Sequence, residues 1–301
     1  MSARDAHIAI FGDTHGHLRL MFQLCRLWQK INGFHLDGIL QVGDLGFFPD
    51  ATRLDKATKR FARSDPEELG FADYFAIPRP LQKDRLLTRT LTGDPSSLDT
   101  VRCDVVFCHG NHEDFQLLSE VTCGAVLSPV DFYNRIYFLR SGETTDVAGV
   151  TVGAIGGAPK SGEEKDHEES VLGPTISQRA VKRLRRKSCD VLMSHCAPQN
   201  VGGESTRFGS RLLRETVESI QPSYQVYGHH TRPIPRATIG STECVWLNDT
   251  NFGKTREDRF NGPVEPGCMA VLRWRSPDDH QLTVVDEPWF RSTTGFNWRH
   301  V

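Results

Sequence analysis

Five short polar stretches of the 301-residue chain carry side chains able to hold a metal ion. They are Asp13 and His15 in Phe11-Gly12-Asp13-Thr14-His15-Gly16-His17, Asp44 in Gly43-Asp44-Leu45-Gly46, Asn111 in His109-Gly110-Asn111-His112-Glu113, His195 after Ser194, and His229 in Gly228-His229-His230-Thr231. Asp13 and His15 are two residues apart, so in extended backbone both side chains leave one face. A hard oxygen beside an imidazole nitrogen suits a divalent transition metal. Nitrogen and oxygen donors without thiolate point to Mn²⁺, Fe²⁺ or Zn²⁺ rather than to a structural zinc knot. There are more donors than one tetrahedral ion needs, so two ions bridged by a carboxylate are the natural count. Asp44, alone in its turn, is the natural bridge.

Each of these turns follows an apolar run that reads as a short strand: Ile8 to Phe11, Gly38 to Val42, Asp104 to Cys108, Asp190 to Ser194 and Tyr224 to Tyr227. Strand ends usually carry glycine, asparagine or serine, so metal-capable groups at five of them argue for convergence at one edge of an α/β sheet. Apolar residues at helical spacing follow the first turn (Leu18, Phe22, Cys25, Trp28) and the third (Phe115, Leu117, Leu118, Val121), and recur at Leu212, Leu213, Val217 and Ile220. Glu113 sits where its charge would favour the third turn's helix. Further strands are expected at Val126 to Val130, Ile136 to Leu139, Val150 to Ile155, Cys244 to Asn248, Met269 to Leu272 and Leu282 to Val285.

The pattern loosens over 48–98, where charges are dense and Pro66, Pro78 and Pro80 interrupt any long helix. Periodicity at Leu54, Ala57, Phe61 and Ala62 suggests a helical insertion, either a cap over the site or a solvated connection, with Phe71, Tyr74 and Phe75 packing down. A polar loop through Glu163 and Glu169 is expected to be mobile. Arg179, Lys182, Arg183, Arg185, Arg186 and Lys187 crowd one helix, most simply a solvated face, with a nucleic-acid contact as the alternative. The whole chain reads as one domain over 1–301, with the helical insertion at about 48–98.

A net charge of −2 argues against a surface that coats polyanions in general. No apolar run approaches the roughly 20 residues that span a bilayer, and no signal-peptide core follows Met1. The eight cysteines are scattered without a Cys-x-x-Cys pair, so reduced thiols and a cytoplasmic location are expected, with no membrane partner.

The ordered set Asp-x-His, Gly-Asp, Gly-Asn-His-Glu, His, Gly-His resembles the calcineurin-like metallophosphoesterase superfamily, and its blocks run from Asp13 to His230. The resemblance implies a two-layer β-sandwich flanked by helices, with a dinuclear metal site at the strand ends. It implies that Asp13 and His15 hold one ion and Asn111, His195 and His229 the other, with Asp44 shared. His112 would protonate the leaving oxygen. Mn²⁺ leads as the cofactor, with Fe²⁺, Zn²⁺ or Ni²⁺ as alternatives. Two departures stand out. Many members show Gly-His-x-His, whereas this chain has Thr231 there and an adjacent His230, which then reads as substrate-facing or supporting rather than ligating. The first ion is accordingly expected to be held more weakly. The aspartate-arginine pair by which phosphoprotein phosphatases clamp phosphate is also missing after Asp44, leaving Arg207 or Arg232 as substitutes. A phosphate-ester hydrolase follows, a phosphodiesterase ahead of a phosphomonoesterase, with nucleotide or nucleic-acid substrates in view. A non-catalytic scaffold of the same fold is the competing class.

Overall fold

The structure is a computed structural model that describes residues 4–76, 84–159, 172–201, 208–254 and 260–301. The polar loop through Glu163 and Glu169, and Arg207, lie outside the described residues.

In chain order the strands are β1 (Ala6–Phe11), β2 (Gly38–Gln41), β3 (Val105–Phe107), β4 (Leu127–Pro129), β5 (Ile136–Leu139), β6 (Thr144–Val147), β7 (Val150–Ile155), β8 (Val191–Ser194), β9 (Tyr224–Tyr227), β10 (Ala237–Ile239), β11 (Thr242–Trp246), β12 (Met269–Ser276) and β13 (Asp279–Val284). The helices are α1 (Leu18–Asn32), α2 (Lys56–Phe61), α3 (Arg85–Thr92), α4 (Phe115–Thr122), α5 (Gln178–Leu184), α6 (Arg211–Ile220) and α7 (Pro288–Ser292). One sheet has the order β13-β12-β1-β2-β3-β5-β4, the other β10-β11-β9-β8-β7-β6. Strands β1, β2, β3 and β5 are parallel neighbours, and so are β7, β8, β9 and β11.

The apolar runs are continuous because both faces of these strands are covered. In β1, Ile8 and Ile10 point between the sheets, where with Leu40 and Val106 they meet Val152, Val191, Met193 and Val226. Ala9 and Phe11 point the other way and join Ile39 and Phe107 beneath Leu18, Phe22 and Cys25 of α1. On the far side, Ile155, Leu192 and Tyr227 are covered by Val181 and Leu184 of α5 and Val217 of α6. The result is the helix-flanked β-sandwich that the family resemblance implies.

The aromatic part of segment 48–98, Phe71, Tyr74 and Phe75, packs down on this framework as expected, and residues 77–83 of the segment lie outside the described residues. Phe71 and Phe75 are buried in the core beneath β1 and β2. Phe75 stacks on Phe22 at 5.9 Å between ring centroids, and Phe71 meets Phe47 edge-on at 4.9 Å. Helix α5 ends at Leu184, so Arg185, Arg186 and Lys187 lie beyond the helix expected to carry them. Arg183 on α5 and Lys187 after it both pair with Glu143, and Arg185 pairs with Glu215. Half of the basic run is thus committed to carboxylates. Among the described residues no helix is long and apolar enough to cross a membrane.

Candidate metal centre

Asp13 and His15 follow β1, Asp44 follows β2, and Asn111 follows β3, all in one sheet, while His195 and His229 follow β8 and β9 of the other. Two sheets therefore deliver these side chains to one edge of the sandwich. The turns are stitched to each other: the Thr14 and His15 amides donate to the Asp44 carbonyl (3.1 and 2.8 Å), and the Gly228 amide donates to that of His195 (3.1 Å). His15, Asp44 and His229 all take left-handed backbone, with φ of 42°, 52° and 65°. Such backbone costs of order 1–3 kcal/mol per non-glycine residue and tends to persist where function over-determines it.

The six candidate ligands meet. Asp44 Oδ2 lies 3.4 Å from His195 Nε2 and 3.9 Å from His15 Nε2. Asp13 approaches His15 Nε2 at 3.9 Å through Oδ2 and His195 Nδ1 at 3.8 Å through Oδ1. Asn111 Oδ1 is 2.9 Å from His195 Nε2, and the His195 and His229 rings are 4.7 Å apart. Two groups result, Asp13–His15–Asp44 and Asp44–His195–His229, each with donor atoms within 4.8 Å of one another. Asp44 belongs to both. Its Oδ1 accepts the Asn111 and His112 amides at 2.6 and 2.7 Å, an approach close enough that a Cβ on Gly110 would sit 2.0 Å from that oxygen.

The donors fit divalent cations. His195 is fully buried, yet its Nδ1 has no hydrogen-bond partner among the described residues, a costly orphan unless a ligand meets it. Burial lowers the His229 pKa and drives that of His195 to about 3, leaving both imidazoles neutral with lone pairs free for metal. Burial and then repulsion from Asp44 push Asp13 well up. Burial opposes ionisation of Asp44 as well, but the His15 and His112 imidazoles and the His112 amide hold Asp44 down. A cation between these carboxylates removes the repulsion.

Residues 6–233, which contain all five turns, match the calcineurin-like phosphoesterase family. The chain belongs to that family. This metallophosphoesterase is 23% identical over 252 residues to the lariat debranching enzyme of Drosophila melanogaster. The match covers 74% of the chain but 42% of that protein, so the chain spans less than half of its relative's length. The crystal structure of TT1561 of Thermus thermophilus superposes with a TM-score of 0.50 at 13% identity, covering 94% of this chain and 100% of the other, a likeness of fold alone.

Beside the candidate ligands of this phosphoesterase stands His112, its ring 6.0 Å from that of His15. Its Nδ1 lies 2.5 Å from Oδ2 of Asp55, the N-cap of α2, whose Oδ1 accepts the Thr58 amide at 2.7 Å. That hydrogen bond, against the opposing effect of burial, raises the His112 pKa to about 9. Sequence reasoning missed Asp55, because nothing along the chain ties position 55 to position 112.

Glu113 stands just before the amino terminus of α4, where its charge is expected, but its carboxylate is engaged elsewhere. Asp114 caps α4, accepting the Leu117 amide, while the buried Glu113 carboxylate accepts the Leu45 and Phe47 amides at 2.9 and 2.6 Å and so clamps the Asp44 turn. His17 bridges the Thr14 carbonyl and Asp65, both at 3.0 Å, and His109 donates from Nδ1 to the Gly110 carbonyl. His230 Nε2 accepts the Ala197 amide at 3.2 Å, with its ring against Phe208, which engages it with the loop after β8. Arg232 is exposed on the loop beyond.

Proposed function

We propose that this chain hydrolyses phosphodiesters at a pair of divalent ions, with Asp13, His15 and Asp44 holding one and Asp44, Asn111, His195 and His229 the other. The observation that carries the reading is the membership of Asp44 in both donor groups. When bound, two such ions supply Lewis acidity that makes water a nucleophile near neutral pH and offsets charge on the phosphoryl oxygens. The chain's own residues do the rest. His112, protonated through its bond to Asp55, donates a proton to the departing oxygen. Glu113 and the Asn111 and His112 amides keep Asp44 oriented.

A diester is favoured over a monoester by charge. Among the described residues, the strongest charges acting on Asp13, Asp44, His195 and His229 are carboxylates and imidazoles, none of them a guanidinium. A dianionic monoester would lack the arginine fork that usually binds it, whereas a monoanionic diester needs less. Mn²⁺ suits the oxygen-rich first group best. The test compares bis-p-nitrophenyl phosphate with p-nitrophenyl phosphate under Mn²⁺, Fe²⁺, Zn²⁺ and Ni²⁺. A higher kcat/KM for the diester with Mn²⁺ is expected. Monoester preference would overturn the substrate class, and absence of turnover with every metal would overturn catalysis in favour of a scaffold.

A further inference from the structure

Thr231 stands where a second imidazole of a Gly-His-x-His pattern would approach the first ion. The loop after β11 brings another group to the same turn. The Thr250 amide donates to the Asp13 carbonyl at 2.6 Å, and the Asn248 carbonyl oxygen lies 2.1 Å from where a Cβ on Gly12 would be. These two contacts pin Asp249 beside the Asp13–His15 turn. Its backbone is fully engaged, the amide with Asn248 Oδ1 at 3.0 Å and the carbonyl with the Asn251 amide at 2.9 Å. No ion pair or hydrogen bond takes up its half-buried carboxylate among the described residues. After burial, the charge acting most strongly on it is His15, followed by Asp44, and it is itself among the charges acting on Asp13.

We infer that Asp249 supplies the anionic group by which this chain retains the first ion in place of the missing imidazole. The inference rests on the two-ion reading above. Asp249 lies outside the tight Asp13–His15–Asp44 group, so it acts through a water on the ion. The first ion then faces three carboxylates and one imidazole, and the second a shared carboxylate, an amide and two imidazoles. The first position is therefore harder, prefers Mn²⁺ to Zn²⁺, and is not the weak site that Thr231 alone suggests.

The experiment measures bound metal after dialysis against a weak chelator, and Mn²⁺ affinity by calorimetry, for wild type, D249N and the double variant T231H/D249N. Wild type is expected to retain about two equivalents. D249N should retain about one and bind the first-site Mn²⁺ ~10–100-fold more weakly, the usual effect of removing an outer group around a metal. T231H/D249N should recover the second equivalent, showing that the loss is a missing donor rather than a damaged fold. Two tightly held equivalents in D249N, or loss of both ions without recovery in the double variant, would overturn the role of Asp249 while leaving the two-ion reading intact. A wild-type protein that binds no divalent ion would overturn both.

Discussion

Replacing Asp55 with asparagine keeps an oxygen for the Thr58 amide, so α2 retains its N-cap, but removes the carboxylate charge beside His112. With Asp55 the imidazole titrates at about 9, whereas without it the value returns toward the ordinary 6.5. A raised histidine pKa means that the acid form persists until the pH passes the raised value and is lost above it. At pH 8 the protonated fraction falls from about nine-tenths to about three-hundredths, so turnover that needs the acid drops roughly 30-fold. At pH 7 the same arithmetic gives a fall of about fourfold, and at pH 6 almost none. Bound cations lower both values together, shifting the window without changing its direction. The assay is kcat against pH for D55N and wild type on a diester with an alkyl leaving group, alongside metal content. A loss that grows with pH at full metal occupancy is expected. A loss independent of pH, or one accompanied by loss of metal, would refute the claim that Asp55 acts through His112.

His112→Asn removes the acid itself, so turnover of a poor leaving group should fall ~10²–10⁴-fold with metal content unchanged. Unimpaired hydrolysis of an alkyl diester would show that another group donates the proton. Asp65 holds the buried His17, raising its pKa to about 9 against the opposing effect of burial, so the pair stabilises the fold fully below pH 6.5 and loses that contribution as pH rises through 9. Asp65→Asn should therefore cost about 2–3 kcal/mol in denaturant melts of the metal-free protein at pH 7. Equal losses at pH 7 and pH 10 would contradict it.

Much of the architecture was legible along the chain because strands covered on both faces are uniformly apolar. Expected bounds for β5, β7 and β9 agree with those observed, and all five polar turns sit at strand ends. The edge strands β6 and β10 left no such mark: Thr-Thr-Asp-Val and Ala-Thr-Ile are short and partly exposed, held by antiparallel partners at the margin of a sheet. Segment 48–98 was ambiguous for a related reason, since Phe71 and Phe75 are apolar whether they cover α1 or face solvent, and only the core they enter decides between the two.

Residue order alone specifies chemistry: which donors exist, that they follow strands, and that Asp44 stands alone in its turn. Everything that depends on distance between remote positions waited for the packed layers. Packing divided the candidate ligands between two sheets, set His15, Asp44 and His229 in left-handed backbone, turned Glu113 into a clamp on the Asp44 turn, and brought Asp55 to His112 and Asp249 to the Asp13–His15 turn. The division arises because residue type and local periodicity govern hydrogen bonding and burial along the chain. A contact between positions 55 and 112, or 13 and 250, is settled only when whole layers pack and bury the surfaces between them.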